Sequence, residues 1–262
     1  MVRDGLSARE WAATILVILG CGVLVRLGLW QLDRHDQRQQ FNSRVGLQQI
    51  MPRLNLDSTV LIQTLEDMEY RSVVARGKYD HQDQVALTNQ VWQDLPGVHL
   101  ITPLQVEGSA FTVLVDRGWI PLADASPENW DKYDDQGIVE VTGVIRRSTT
   151  KPEIGNKTDP IPGPGEPELK EWNLLNVERI DQQVAGELLP VYIQQGQDEW
   201  RTSPPYPAAA PVELSDGPHL GYAAQWFMFA LILGLGYPIL LHRRHGAQRN
   251  REAEYVRRSK NA

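Results

Sequence analysis

The chain has 262 residues and a formal net charge of −7, which is enough length for one domain of ordinary size and two membrane spans. Its charge is divided along the sequence, because residues 33–218 carry 16 Lys and Arg against 29 Asp and Glu while the two ends supply positive charge. The acidic middle argues against nucleic acid as a partner, and the single cysteine, Cys21, excludes intramolecular disulfides and cysteine-based zinc sites.

The first predicted element is a membrane-spanning helix over residues 11–32, WAATILVILGCGVLVRLGLWQL, which follows ten residues assigned to the cytoplasm. No small-x-small cleavage site follows the apolar region, so we interpret it as a retained anchor. Arg26 is its only charge, and this side chain either snorkels toward the outer boundary or pairs with an anionic group in the helix bundle. Residues 33–50 lack an interior proline and are rich in Gln and Arg, which predicts that the helix continues beyond the membrane.

From Tyr70 onward the pattern changes to short β-branched runs separated by turn residues. Five such runs predict an antiparallel sheet or a small barrel. Lys151–Glu168 is dense in Pro and Gly and is predicted to be an irregular excursion. A short helix, Asn176–Leu188, and a last strand, PVYIQQ, are predicted to return the chain to the sheet. Arg201–Pro211 is then predicted to be a semi-rigid extended linker.

A second membrane helix is predicted for residues 219–241, where the uncharged run Leu220–Leu241 covers roughly 33 Å at helical rise. The tail, residues 242–262, holds six Arg and one Lys against two Glu, so the positive-inside rule places it in the cytoplasm. Both termini are then cytoplasmic, and residues 33–218 are extracytoplasmic. The predicted fold class is an α+β membrane protein in which two transmembrane helices flank a β-rich domain.

The sequence contains none of the common catalytic motifs: no G-x-S-x-G, no P-loop, no dinucleotide fingerprint and no H-E-x-x-H. We interpret His81 and His99 as solvated or sheet-surface histidines, because neither has a second ligand at metal-binding spacing. Asp116 and Arg117 are interpreted as an ion pair, beside a Trp119 that seals one end of the sheet. The alternative is a membrane-anchored hydrolase that uses Asp116 and Arg117, although the nucleophile motif is missing.

His219 stands at the outer boundary of the second span, and Tyr222, Trp226 and Phe229 follow it at helical spacings on approximately one face. A neutral imidazole above an aromatic stripe suits an axial ligand of haem iron. The other interpretation is an interfacial histidine within an aromatic belt, which membrane helices commonly carry. The spacing alone favours the aromatic belt.

Six short motifs occur in a fixed order from the first span to the second. The first three are GLWQLDR at residues 28–34; Tyr70-Arg71 followed by Gly77 and Tyr79-Asp80; and Gly97 followed by Thr102-Pro103-Leu104. The other three are VDRGWIP at residues 115–121, GVIR at residues 143–146, and HLGYA at residues 219–223 followed by Trp226. Together they resemble the SURF1 family of cytochrome c oxidase assembly proteins, known in yeast as Shy1. Asp116 stands where that family usually has Asn.

The resemblance implies an assembly factor, not an enzyme, that helps to insert haem a into subunit I of the oxidase and works with the haem a synthesis machinery. It implies a cell inner (plasma) membrane location, or the mitochondrial inner membrane in a eukaryote. A membrane scaffold that holds oxidase subunits without binding a cofactor is the alternative.

In bacterial members of that family a histidine at the start of the second span is implicated in haem a binding, and the matching residue here is His219. The resemblance therefore makes His219 the expected iron ligand and reverses the preference for the aromatic belt. Tyr222 and Trp226 are the expected ring contacts. The expected supports from the first helix are Trp30, Arg34 and Arg26.

Overall fold

A computed structural model describes residues 7–57, 62–152, 158–160, 162–163, 167–196, 202–207 and 212–260. Parts of two predicted segments, Lys151–Glu168 and Arg201–Pro211, lie outside these described residues. The chain divides into two compact units, one made of residues 1–43 with 214–262 and the other of residues 44–213.

The helices and strands follow one another along the chain in a helix–sheet–helix order. The helices are α1 (Ala8–Ile50), α2 (Val177–Ile180) and α3 (His219–Lys260). The strands are β1 (Leu54–Leu56), β2 (Ser72–Tyr79), β3 (Val85–Trp92), β4 (Leu95–Val106), β5 (Phe111–Pro121), β6 (Ile138–Arg147), β7 (Glu171–Trp172) and β8 (Glu187–Gln195).

Helices α1 and α3 are both long and apolar enough to cross a membrane, and almost none of the apolar stretch of either helix is buried by protein. Leu16 and Leu231, for example, are 71% and 62% exposed. Side chains of this kind need lipid around them, since water would oppose their exposure. The two helices therefore fit a membrane protein, and the predicted continuation of the first helix to Ile50 is confirmed.

The second unit contains a closed five-stranded barrel with strand order β2–β6–β8–β5–β4, and pairing of β2 with β4 completes the ring. The predicted small barrel and the five predicted strands, β2 to β6, are confirmed, but β3 lies outside the ring and β8 takes part in it. Strand β8 lies between β6 and β5 and runs parallel to β5. The short strands β1 and β7 extend the sheet beside β2 and β3, so the two terminal strands of the sheet are only three and two residues long.

The barrel is filled by alternating apolar residues of its strands. The largest buried cluster contains Leu56, Leu65, Val73, Ala75, Tyr79, Leu104, Val106, Val113, Val115, Val141, Ile145, Leu189, Val191 and Ile193. A second cluster packs α2 and Trp172 against the other face of β3, β4 and β5. The predicted helix Asn176–Leu188 is wrong in length, because α2 ends at Ile180 and β8 already begins at Glu187.

The described parts of two segments, the predicted irregular excursion and the predicted semi-rigid linker, form hydrogen bonds with the barrel unit. Asp159 is 4% exposed, and its carboxylate accepts hydrogen bonds from the backbone and side-chain amides of Asn173 and from the backbone N–H of Leu174. Tyr206 exchanges two backbone hydrogen bonds with Trp119, at 2.8 and 2.9 Å. The described part of the linker, residues 202–207, is therefore docked on β5 rather than free.

Candidate functional site

Helices α1 and α3 pack against each other as an antiparallel pair within the first unit. At one end the Tyr237 hydroxyl lies 3.0 Å from the Thr14 hydroxyl, and His245 Nε2 lies 2.8 Å from Glu10 Oε1. At the other end His219, the first residue of α3, contacts α1. His245 is thus held by a carboxylate at the end of the helix pair opposite His219.

Small residues allow the two helices to approach closely. A Cβ atom on Gly28 would lie 2.6 Å from the Phe227 ring, so a larger residue there would push the helices apart. A Cβ on Gly20 would lie 3.2 Å from Leu233, and Ala223 is 2% exposed. Small residues at such contacts are typical of helices that pack in lipid. The close approach brings the polar residues at the His219 end within hydrogen-bond distance.

The hydrogen bond at this end joins His219 to Gln31, with 2.9 Å between Nδ1 and Oε1. The amide oxygen can only accept, so the imidazole Nδ1–H donates. A neutral imidazole carries one N–H, and Nε2 is therefore left with its lone pair. The arrangement matches that of metal-ligating histidines, whose other ring nitrogen usually donates to an oxygen.

The surroundings of Nε2 are suited to an iron ligand. In the described part of the chain Nε2 makes no hydrogen bond, and the neighbouring residue is Gly217. A Cβ atom on Gly217 would lie 3.4 Å from Nε2 and 3.3 Å from Cδ2 of the same ring. Glycine at this position therefore leaves open the space next to the nitrogen that would coordinate iron.

Four polar residues at spacings of four, three and four share one face of α1 at the end near His219. They are Gln31, His35, Arg38 and Asn42. Arg38 Nε donates to the Ser215 carbonyl at 3.0 Å, and Asn42 Nδ2 donates to the Asp216 carboxylate at 2.9 Å. His35 is 8% exposed, and its Nδ1 has no hydrogen-bond partner among the described residues. We call these four residues the polar stripe; it holds the segment before α3 against α1.

The predicted ring contacts lie along α3 on the lipid-accessible side. Tyr222 is 50% exposed and Trp226 is half-buried. The Trp226 ring meets Phe229 edge to face, with centroids 6.1 Å apart and an interplanar angle of 82°. These aromatic side chains form a surface that a planar apolar ligand could cover.

Two of the three predicted supports on α1, Trp30 and Arg34, contact each other. The Arg34 guanidinium lies 5.7 Å from the centre of the Trp30 ring and donates to Gln37 at 3.1 Å. Trp30 is 43% exposed, and Arg26 is also exposed on α1. The described hydrogen bonds therefore connect His219 to Gln31, and Arg34 to Gln37.

Asp116 and Arg117 belong to two separate groups of charged and polar side chains in the barrel unit. His99 Nδ1 lies 3.1 Å from Asp116 Oδ2, and these side chains are 6% and 4% exposed. Arg117, 1% exposed, donates instead to Gln84 at 3.0 Å and to Asp135 at 2.9 Å. The predicted Asp116–Arg117 ion pair is therefore wrong, since adjacent residues of a strand do not face each other. The interpretation of His99 as solvated is also wrong.

The barrel groups are poorly placed for hydrolysis. The His99–Asp116 pair is closed off from solvent, and in the described residues His99 makes no hydrogen bond to a nucleophile. Hydrogen bonds from Lys132 and Tyr133 lower the pKa of Asp124, and burial raises the pKa of Tyr192 to about 12. Neither of these groups titrates near neutral pH, where a general acid or base would have to act.

Gln31 was not among the predicted site residues, although it lies inside the GLWQLDR motif. The spacing of the polar stripe was a readable signal, because four polar residues on one helix face at a membrane boundary require partners. Gln31, Arg38 and Asn42 have their partners at residues 219, 215 and 216, which lie 174 to 188 positions later in the sequence. Local pattern does not show such distant partners.

Comparison with known proteins identifies the group to which this architecture belongs. The SURF1 family profile matches residues 18–231. Surfeit locus protein 1 of Homo sapiens is 22% identical over 236 residues, which cover 84% of this chain and 73% of the human protein. The SURF1-like protein of Monosiga brevicollis is 24% identical over 265 residues, with 95% and 93% coverage. The chain belongs to the SURF1 family.

Proposed function

We propose that this protein is a cytochrome c oxidase assembly factor that binds haem a through His219 and assists its insertion into subunit I. SURF1 family members are oxidase assembly factors. The observation that carries the haem-binding step is the geometry of His219, whose Nδ1 is held by Gln31 while Nε2 is free beside Gly217.

Different residues at this site would bind different parts of haem a. Nε2 of His219 would ligate iron, and the aromatic surface of Tyr222 and Trp226 would contact the apolar face of the macrocycle. When bound, haem a would supply the redox chemistry of its iron, and these residues would hold and orient it until transfer to the oxidase. The close packing at Gly28 holds the two helices together and so maintains the position of His219.

The proposed location is the cell inner membrane, or the mitochondrial inner membrane in a eukaryote, with lipid around α1 and α3. In the antiparallel pair of α1 and α3, Glu10 and His245 lie at one end and Gln31 and His219 lie at the other. The basic tail after Leu241 assigns the first of these ends to the cytoplasm. The haem site then faces outward, and subunit I and the haem a synthesis machinery are the proposed partners.

The topology can be tested with reporter fusions. A reporter that is active only outside the cytoplasm is expected to work when it is fused after Ser215, because α1 alone then precedes it in the membrane. The same reporter fused after Lys260 is expected to be inactive. Activity in the reverse pattern would place His219 on the cytoplasmic side and contradict the proposed site.

Haem binding can be tested by co-expression with the haem a synthesis enzymes, followed by purification and an absorption spectrum. The wild-type protein is expected to carry haem a, whereas His219→Gln and His219→Ala should lose the haem spectrum. Both variants should accumulate normally, because an outer boundary position contributes little to the span. Both should also leave less haem a in the assembled oxidase.

A matched control is His245→Gln, which removes an imidazole from the other end of the helix pair and should leave the spectrum unchanged. Trp226→Ala should give a partial defect. If wild-type protein purifies without haem, or if His219→Gln keeps an unchanged spectrum, His219 is not the ligand and the scaffold function takes its place.

A further inference from the structure

We propose that Gln31 is a positioning residue for His219, which selects the ring tautomer that presents Nε2 and keeps the imidazole a moderate, exchangeable iron donor. The proposal rests on the haem-binding function proposed above, and it assigns a role to a residue of the first helix. Its basis is the 2.9 Å contact between Gln31 Oε1 and His219 Nδ1.

The first step is the choice of tautomer. In a neutral histidine the proton sits on one ring nitrogen, and the hydrogen bond made by one nitrogen decides which of the two can act as a ligand. Because Gln31 presents its oxygen to Nδ1, the proton is held there. Nε2 of His219 is thereby ready to coordinate without a prior proton shift.

The second requirement is a rigid site, because the residues that position the imidazole must themselves be held in place. Gln31 belongs to the polar stripe, and the next contacts of that stripe fix Ser215 and Asp216 to α1 through Arg38 and Asn42. Gly217 N–H also donates to the Ser215 hydroxyl at 3.2 Å. The chain is therefore fastened at three points just before and at the start of α3, and the imidazole enters the site in one orientation.

The third step is donor strength. A carboxylate partner on the distal nitrogen makes a histidine ligand more basic, because the negative charge stabilises partial loss of the proton. The neutral amide of Gln31 gives a weaker effect with the same shape and reach. A protein that delivers a cofactor benefits from a ligand that orients iron but releases it to the receiving protein.

The first experiment needs no haem. In the full-length protein in detergent micelles, labelled with ¹⁵N-histidine, His219 is expected to have the Nδ1–H tautomer. Gln31→Leu should move His219 toward the Nε2–H tautomer, which free imidazole side chains prefer. Gln39→Leu is the matched control, because Gln39 is an exposed glutamine on the same helix. A wild-type His219 in the Nε2–H form would overturn the proposal.

The second experiment titrates the same proteins with haem b as the probe. Gln31→Leu is expected to weaken binding by about 10- to 100-fold, as loss of such a supporting residue does at other metal sites. Gln31→Glu should bind at least as tightly as wild type, with a more negative reduction potential and slower transfer of haem to apo-myoglobin. Gln39→Leu and Gln39→Glu should match wild type in each measurement.

The outcomes separate the two proposals. If wild type and Gln31→Leu bind haem equally and the potential of Gln31→Glu is unchanged, Gln31 is only a structural contact, and the haem function stands. If wild type has the Nδ1–H tautomer but binds no haem, the proposed function and the donor-strength role both fail. The assignment of the tautomer to Gln31 then survives alone.

Discussion

Replacing Trp119 with alanine is expected to lower the free energy of unfolding of the barrel unit by about 3–5 kcal/mol. Trp119 is 3% exposed, and its ring lies 5.4 Å from that of Trp92 and 6.3 Å from that of Tyr206. The substitution would leave a cavity beneath the docked segment that carries Tyr206. In thermal unfolding of the full-length protein in detergent, the midpoint of the barrel transition should fall by roughly 6–20 °C.

Trp92→Ala is the control for this prediction, because Trp92 belongs to the same aromatic stack but is only half-buried. It should cost less than half as much as Trp119→Ala, and it should not make the barrel sensitive to protease. A Trp119→Ala protein that unfolds like wild type yet no longer associates with the oxidase would contradict the core assignment. Trp119 would then be an interface anchor.

Replacing Arg117 with leucine is expected to destabilise the barrel unit by about 3 kcal/mol. The guanidinium is 1% exposed and lies 4.9 Å from the centre of the Tyr79 ring, and it donates to Gln84 and Asp135. Leucine keeps an apolar side chain in place but leaves buried Gln84 with one partner fewer. Urea unfolding monitored by tryptophan fluorescence should show the loss as a lower midpoint.

Asp135→Asn separates the ion pair from the burial of Arg117. The Asp135 side chain is 44% exposed, so its attraction to Arg117 is screened by water and its removal should cost less than about 1 kcal/mol. A larger cost for Asp135→Asn than for Arg117→Leu would show that the ion pair, rather than the buried hydrogen bonds and the Tyr79 contact, stabilises the site.

The regular elements were predictable because each is encoded by local pattern. The uncharged stretch that follows His219 specifies a membrane helix, and the run of β-branched and apolar residues around Val113 and Val115 specifies a strand, which is buried on both faces. The helix predicted from Asn176 was too long because the polar run after Ile180 has helical propensity, whereas Gly186 and β pairing determine where β8 begins.

The site was predictable only in part, because hydrogen bonds between distant residues are not written in local pattern. His219 was found from its position at a span boundary, but its partner Gln31 lies 188 residues earlier. Adjacency suggested that Asp116 pairs with Arg117, whereas the fold pairs Asp116 with His99 on the neighbouring strand. The presence of Asp at position 116 of the VDRGWIP motif did not indicate which side chain it would contact.

The position of β8 determines when the barrel can be completed during synthesis. Strands β5 and β6 do not pair with each other; both pair with β8, which begins at Glu187, forty residues after β6 ends at Arg147. Until β8 has been synthesised, both strands have unpaired edges of the kind that attract other chains. Any prematurely terminated chain that ends before Glu187 therefore has an open sheet, which makes it a substrate for proteases rather than a partly active factor.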